Sequence, residues 1–226
     1  MIAVMKDSVT ISSSRLLQYN DYKHEDFLDV DWIYDKLKDL KWEKIYGSSG
    51  KLLRHGCWYT NGGCTCPYAY SNQHHQANPF EDWMIEVAHK LDELLGVFND
   101  NFIGSVNFSR YDNDQSSVYF HADDEELFQS SLGSATIVSM SFGASRYFSV
   151  KSNFQRDEDA KHIKLDHGDI LTMEGRMQQF YQHAVLPSNK IKGAVALAAQ
   201  EGPRFNATWR VIHKHLPKCP LKIEGN

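Results

Sequence analysis

No apolar run in this 226-residue chain approaches the roughly 20 residues a membrane-spanning helix needs. The stretch from Met1 to Ser14 lacks an apolar core of signal-peptide length, so secretion is not expected. Cysteine is scarce. Four residues do not make a disulfide framework in a chain this long, and they read as thiols of a reducing intracellular compartment, cytoplasm or nucleus. With 6 prolines and 14 glycines there is no collagen-like period and no Pro-rich linker, and no internal repeat is found. A basic surplus is missing too: 24 Lys and Arg stand against 29 Asp and Glu, for a net charge of -5. Bulk phosphate attraction is therefore not available, and any hold on nucleic acid must be local.

What is present is ordinary globular composition, 42% hydrophobic and 23% charged, enough to bury one substantial core. Aromatics reach 12%, with 11 Tyr and 5 Trp, which leaves room for stacking surfaces. The expected organisation is one domain, as a monomer. It divides into an N-terminal extension with a helix (1–52), a lid (53–80), a supporting helix (81–98), a β-rich core (99–216) and a polar tail (217–226).

Between Glu25 and Leu40, apolar Val30, Ile33, Tyr34, Leu37 and Leu40 recur at helical spacing. Gly47 to Asn78 reads as loops with short strands. Asn78-Pro79-Phe80-Glu81 looks like a helix start, Asn as N-cap and Pro at the first helical position. It is followed by an apolar stripe from Met84 to Phe98. Beyond Asn99 come short β-rich runs: Ser117–Phe120, Thr136–Phe142, Arg146–Val150, His162–Leu165, Ile170–Met173, Gln179–Leu186, Ala194–Ala199 and Asn206–Ile212. Eight such runs predict a sandwich or barrel with the helices on one face, an α+β chain dominated by β-structure.

His121-Ala122-Asp123 can present two metal ligands on one side of a strand, because residues i and i+2 face the same way. The spacing alone is weak: 11 His and 29 acidic residues give about 1.4 His-x-Asp/Glu matches by chance, and three occur. His24/Asp26 stands where a helix begins and His167/Asp169 brackets a turn. Only His121/Asp123 ends an apolar strand and opens a polar loop. His183, in the strand-like run Phe180 to Val185, is the candidate third ligand. Two His and one carboxylate leave open positions, as in non-haem Fe(II) oxygenases. Taken alone, His183 is more simply a hydrogen-bonded strand histidine.

Arg204-Phe-Asn-Ala-Thr-Trp-Arg210 divides cleanly at period 2. Arg204, Asn206, Thr208 and Arg210 share one face, Phe205, Ala207 and Trp209 the other. Two arginines about 20 Å apart along the strand can grip a short dicarboxylate from both ends. The plain alternative is an amphipathic strand with its polar face in water.

Together these motifs resemble the AlkB family of Fe(II)- and 2-oxoglutarate-dependent dioxygenases. Ser-Arg-Tyr111 before His121-Ala-Asp-Asp-Glu125 resembles the family's Asn-x-Tyr … His-x-Asp-x-Glu stretch. Met140-Ser-Phe-Gly-Ala-Ser-Arg146-Tyr-Phe and Leu165-Asp-His-Gly168-Asp-Ile-Leu-Thr-Met173 resemble two further family strands. Trp58-Tyr59 … Tyr68-Ala-Tyr70-Ser71 looks like its aromatic nucleotide-recognition lid. The resemblance runs from about Leu53 to Ile212.

It implies a double-stranded β-helix, or jelly roll, with iron held by His121, Asp123 and His183. It implies 2-oxoglutarate held by Arg204 and Arg210 with help from Tyr111 and Asn206, and Glu125 at a base pocket. Tyr59, Tyr68, Tyr70 and Trp58 are the expected stacking residues, and Arg146 has no assigned role. Ser109 stands where the family usually has Asn; its reach is shorter, and Asn107 on the same face is a possible substitute. The implied reaction consumes Fe(II)-bound 2-oxoglutarate and O2, releases succinate and CO2, and removes an N-methyl group of the 1-methyladenine or 3-methylcytosine type as formaldehyde. The implied partner is DNA or RNA, single-stranded or with its base flipped out, and no membrane.

Two other readings accompany this one. The same iron chemistry acting on a protein or small molecule fits the negative charge. A zinc-stabilised binding module is suggested by Cys57, Cys64 and Cys66 near His55, His74 and His75, although Cys-x-Cys is not the usual knuckle spacing.

Overall fold

The computed structural model describes the backbone of residues 5–11, 14–19, 28–70, 73–96, 104–129, 135–191 and 202–222. In chain order the strands are β1 (Met5–Ile11), β2 (Ser14–Tyr19), β3 (Glu43–Tyr46), β4 (Leu52–Thr60), β5 (Tyr68–Tyr70), β6 (Gln73–His75), β7 (Asn78–Pro79) and β8 (Ser105–Tyr111). They continue with β9 (Val118–His121), β10 (Ile137–Gly143), β11 (Arg146–Ser152), β12 (Lys161–Leu165), β13 (Ile170–Gly175), β14 (Tyr181–Val185) and β15 (Arg204–Arg210). The helices are α1 (Val30–Lys38), α2 (Asp82–Leu95) and the single turn α3 (Met177–Phe180).

The major sheet runs β1-β2-β13-β10-β15-β8-β4-β3, with β7 added parallel to β4. The minor sheet runs β12-β11-β14-β9. Among the described strands every other pairing is antiparallel, and the two sheets form the jelly roll that the family resemblance implies.

Strand alternation sorts the major sheet into two faces. Val106, Phe108, Val138, Met140, Phe142, Phe205, Ala207 and Trp209 point outward beneath the helices. Helix α1 begins where the Asp29 carboxylate accepts a hydrogen bond from the Trp32 amide, and it buries Ile33 and Leu37. Helix α2 buries Trp83, Met84, Val87, Ala88 and Leu91 and stops at Gly96, which takes left-handed φ 56°. Each of the larger aliphatic side chains, such as Ile33, Leu37, Met84, Val87 and Leu91, contributes about 1.5–3 kcal/mol by leaving water. On the inner face, Ile137, Leu171 and Met173 meet Phe148, Val150 and Leu165 of the minor sheet and close one half of the interior. The other half is polar and holds the site.

Several expectations are corrected. Helix α2 starts at Asp82, not at Pro79, because Asn78 and Pro79 pair with Tyr59 and Thr60 while the Phe80 amide donates to the Thr60 carbonyl. The region read as loops with short strands contains nine-residue β4, longer than expected and paired with β8 along six residues. Strand β8, absent from the expected strands, carries Ser109 and Tyr111. Gln179 and Phe180 belong to α3 rather than to the strand that follows. The expected strand at Ala194–Ala199 and the pair His24/Asp26 lie outside the described residues.

Candidate active site

His121 and His183 face each other directly across β9 and β14. This register brings their rings to a centroid separation of 4.3 Å. Asp123 lies two residues beyond, past the end of β9, with its backbone amide donating to Gln178 Oε1 at 2.9 Å. Its Oδ1 stands 3.7 Å from His121 Nε2 and 3.9 Å from His183 Nε2. Donors about 2.1 Å from one ion at neighbouring octahedral positions lie about 3 Å apart, so small side-chain rotations close this set on a metal.

The surroundings prepare each donor. His121 Nδ1 donates to the Tyr119 carbonyl at 2.8 Å, which leaves Nε2 as the lone-pair nitrogen facing Asp123. The His183 ring is stacked on Phe148 at 5.2 Å. Burial, together with neighbouring His121, pushes His183 down to about 3, and burial also lowers His121. Both rings are thus neutral, the form that ligates metal. Burial pushes the Asp123 carboxyl up, but Arg210 and the two imidazoles outweigh it and hold it at about 2. Arg210 Nη2 donates to Asp123 Oδ2 at 2.7 Å and leaves Oδ1 toward the histidines.

Strand β15 pairs Arg204 with Tyr111, Asn206 with Ser109 and Arg210 with Ser105 on one side. On the other side Gly143, Ser141 and Ser139 stand opposite Arg204, Asn206 and Thr208. The polar face read from the sequence points into the roll, not into water: Arg204 is 2% exposed and Arg210 3%. Arg204 Nη2 donates to Ser141 Oγ at 3.0 Å and to Asn206 Oδ1 at 2.8 Å, and its guanidinium lies 5.2 Å from the Tyr111 ring centre. Asn206 Nδ2 donates to Thr208 Oγ1, and Ser139 Oγ donates to Asn206 Oδ1. Among the described residues no carboxylate pairs with Arg204, whose Nε and Nη1 are buried without hydrogen bonds. Burial lowers its pKa to about 10, which still leaves a full cation at neutral pH.

Tyr111, Ser109, Asn107, Asn206 and Thr208 line one cavity alongside His121, Asp123, His183 and Arg210; Arg204 is not part of this lining but donates to Asn206, which is. Arg54 of β4 and Tyr68 also line the cavity; no motif in the sequence marks Arg54 as a site residue. Glu125 sits near Asp123, hydrogen-bonded by Tyr68; burial raises it to about 7 against the opposing pull of Arg210.

The expected lid residues separate. Trp58 and Tyr59 are adjacent in β4 and point to opposite faces. Trp58 is fully buried, donates to the Cys66 carbonyl at 2.9 Å and stacks on Tyr68 at 5.0 Å. Tyr59 packs against Phe108 on the helix side of the sheet. Both are core residues here, which corrects their expected role as stacking surfaces. Tyr68 forms cavity wall, and the Tyr70 side chain lies outside the described residues. Arg146, left without a role, donates to the carbonyls of Asn113, Ser116 and Leu186 and anchors the loop after β8.

A family model described as the 2OG-Fe(II) oxygenase superfamily matches residues 36–210. The chain belongs to that superfamily. It is thereby placed among the Fe(II)- and 2-oxoglutarate-dependent dioxygenases, which work with Fe(II), 2-oxoglutarate and O2. Its curated relatives are AlkB homologues, in keeping with the resemblance read from the motifs. Alpha-ketoglutarate-dependent dioxygenase alkB homolog 3 of Homo sapiens is 30% identical over 203 residues, 83% of this chain and 63% of that protein. DNA oxidative demethylase ALKBH2 of Arabidopsis thaliana is 25% identical over 200 residues, 77% of this chain and 59% of that protein. The chain thus spans somewhat under two thirds of these relatives. Among solved structures, OsALKBH1 aligns with a TM-score of 0.58 at 17% identity, covering 91% of this chain and 100% of that one. An oxidoreductase of the 2OG-Fe(II) oxygenase family from Burkholderia pseudomallei aligns at 0.55 and 12% identity, covering 88% of this chain and 86% of that one. Both support the fold. Among the described residues no helix is long and apolar enough to cross a membrane.

Proposed function

We propose that this chain oxidatively removes N-linked methyl groups from nucleobases in DNA or RNA. The observation that carries this reading is a buried cation without an anionic partner, Arg204, in the same interior as a His-Asp-His group. A charge buried that way is costly unless a ligand neutralises it. A dicarboxylate co-substrate supplies the missing anion.

In this reading His121, Asp123 and His183 hold Fe(II). When bound, the metal with 2-oxoglutarate and O2 supplies the oxidation: one oxygen atom goes to succinate as CO2 leaves, the other to the methyl carbon, which departs as formaldehyde. Arg204 binds the distal carboxylate of 2-oxoglutarate by a charge-assisted contact. Tyr111, Asn206 and Ser109 line the path and orient the co-substrate, Ser109 standing directly opposite Asn206. Arg210 fixes the Asp123 carboxylate so that one oxygen stays available to the metal. Glu125 and Tyr68 form a hydrogen-bonded pair near Asp123 where an exocyclic nitrogen of a base can be read.

The nucleic-acid substrate is supported by the names of the relatives, above all a DNA oxidative demethylase, and by the Glu125–Tyr68 pair. The test is succinate and formaldehyde release from 2-oxoglutarate with 1-methyladenine and 3-methylcytosine oligonucleotides, in DNA and RNA form, single- and double-stranded. Peptides and free amino acids serve as the competing panel. Stimulation by methylated oligonucleotides supports the reading. Stimulation by peptides or small molecules alone replaces it with the second reading, in which the same chemistry acts on another substrate.

A further inference from the structure

We propose that Cys64, Cys66, His215 and Cys219 form a closed Cys3His site for one zinc ion, which fastens the C-terminal segment to the loop leading into Tyr68. The four donor atoms lie within 4.8 Å of one another. Cys64 Sγ stands 3.4 Å from His215 Nδ1, Cys219 Sγ 3.4 Å and Cys66 Sγ 3.8 Å; Cys64 and Cys219 sulfurs are 3.8 Å apart. Tetrahedral zinc with bonds of about 2.3 Å to sulfur and about 2.0–2.1 Å to nitrogen sets sulfur–sulfur edges near ~3.8 Å and sulfur–nitrogen edges near ~3.6 Å. The measured edges match that polyhedron. They do not match a disulfide, whose sulfurs lie about 2.05 Å apart.

The sulfurs are also prepared as ligands. All three cysteines are buried, 1–6% exposed, and unbridged. The Leu216 amide donates to Cys66 Sγ at 3.2 Å, the contact that stabilises a metal-bound thiolate. Three thiolates and an imidazole are a soft donor set that selects zinc. The His-Asp-His group at the cavity is harder and leaves positions open, so the two sites ask for different metals.

Of the expected zinc donors, Cys64 and Cys66 remain, while Cys57 and the histidines give way to Cys219 and His215. Cys57 is a core residue on the outer face of β4, among Phe108 and Tyr59. His55 pairs with Asp112 at 3.1 Å and His75 with Glu43 at 2.6 Å, while His74 is exposed. The true partners, His215 and Cys219, lie about 150 positions further along the chain.

The position gives the clamp a task. Residues 211–222 form no strand or helix, and the His213 and Lys214 amides reach only the Leu127 carbonyl. Cys66 in turn holds Trp58 through its carbonyl, Trp58 stacks on Tyr68, and Tyr68 lies 5.5 Å from the Arg210 guanidinium. A zinc bond at Cys66 therefore fixes the wall of the cavity opposite β15.

The test is metal analysis of the full chain expressed with added zinc, alongside Asp123→Ala, which disables the cavity's donor set, and Cys64→Ser/Cys66→Ser. One zinc per chain in the wild type and in Asp123→Ala, reduced at least tenfold in the double cysteine variant, is expected. Should that variant fail to fold, the wild-type chain is stripped by chelator and titrated with Co(II). Intense thiolate-to-cobalt absorption that zinc bleaches upholds the site. Zinc retained by the cysteine variant, zinc absent from the wild type, or cobalt uptake without thiolate absorption overturns it. None of these readouts depends on turnover.

Discussion

Arg210 donates to Asp123 across 2.7 Å, and both are almost fully buried. A guanidinium read as one jaw of a co-substrate grip therefore holds the carboxylate of the His-Asp-His group. Its ring neighbours are Phe128 at 4.6 Å and Tyr68 at 5.5 Å. Arg204, six residues earlier on the same face, keeps its charge without a carboxylate among the described residues.

The two arginines should accordingly fail in different ways. Arg204→Ala is expected to raise the 2-oxoglutarate requirement by about 100-fold, the worth of a charge-assisted contact, with little effect on iron. Arg210→Ala is expected to weaken Fe(II) retention by about 10–100-fold, as loss of a ligand's supporting partner does. Initial rates against each ligand, with iron binding measured separately, read the split. Equal effects of both substitutions on both ligands would show that this face serves only the fold.

His183→Ala should lower 2-oxoglutarate turnover by at least about 100-fold, because a lost ligand costs no less than a lost supporting partner. The fold should survive, since among the described aromatic side chains the ring packs only on Phe148 besides His121. Circular dichroism and thermal melting check the fold, and succinate release checks the chemistry. Turnover at the wild-type rate would remove His183 from the ligand set.

The strand Arg204–Arg210 was legible because its alternation is unbroken, so Phe205, Ala207 and Trp209 had to face a core. Which way the polar face pointed was not legible from period alone. Its burial follows from Ser139 and Ser141 on the neighbouring strand, which give Asn206 and Arg204 hydrogen-bond partners. The length of strand β4 is not legible in the sequence because Arg54, His55 and Gly56 break its apolar run, and only the pairing with β8 makes sense of them. His215 and Cys219 were invisible for a different reason: nothing local links them to Cys64 and Cys66, and the sheet order brings the segments together.

Gly143 faces Arg204 at the end of β10 with φ +77°, and a Cβ there would lie 2.3 Å from the Pro203 carbonyl oxygen. Gly143→Ala should therefore combine left-handed strain with a backbone clash and cost about 1–3 kcal/mol or more. Because the shift falls at Arg204, the requirement for 2-oxoglutarate should rise with it. Urea denaturation and a 2-oxoglutarate titration measure the two effects; an unchanged midpoint would contradict the tight approach.

Arg146 satisfies three carbonyls while 4% exposed. Arg146→Met keeps the apolar stem and strands those oxygens, at a cost of about 3 kcal/mol by the usual penalty for buried unmet acceptors. The denaturation midpoint should fall without a change in slope, and metal stoichiometry in the folded protein should stay as in the wild type. Loss of iron at unchanged stability would assign Arg146 to the site instead.

The most direct measurement is an anaerobic Fe(II) titration in the presence of 2-oxoglutarate, followed by absorption spectroscopy of the complex and repeated on Asp123→Ala and Arg204→Ala. The account predicts one Fe(II) per chain with a metal-to-co-substrate charge-transfer band, lost in Asp123→Ala and requiring far more 2-oxoglutarate in Arg204→Ala. A wild-type chain that takes up no Fe(II), or an Asp123→Ala chain that gives the same band, would contradict it.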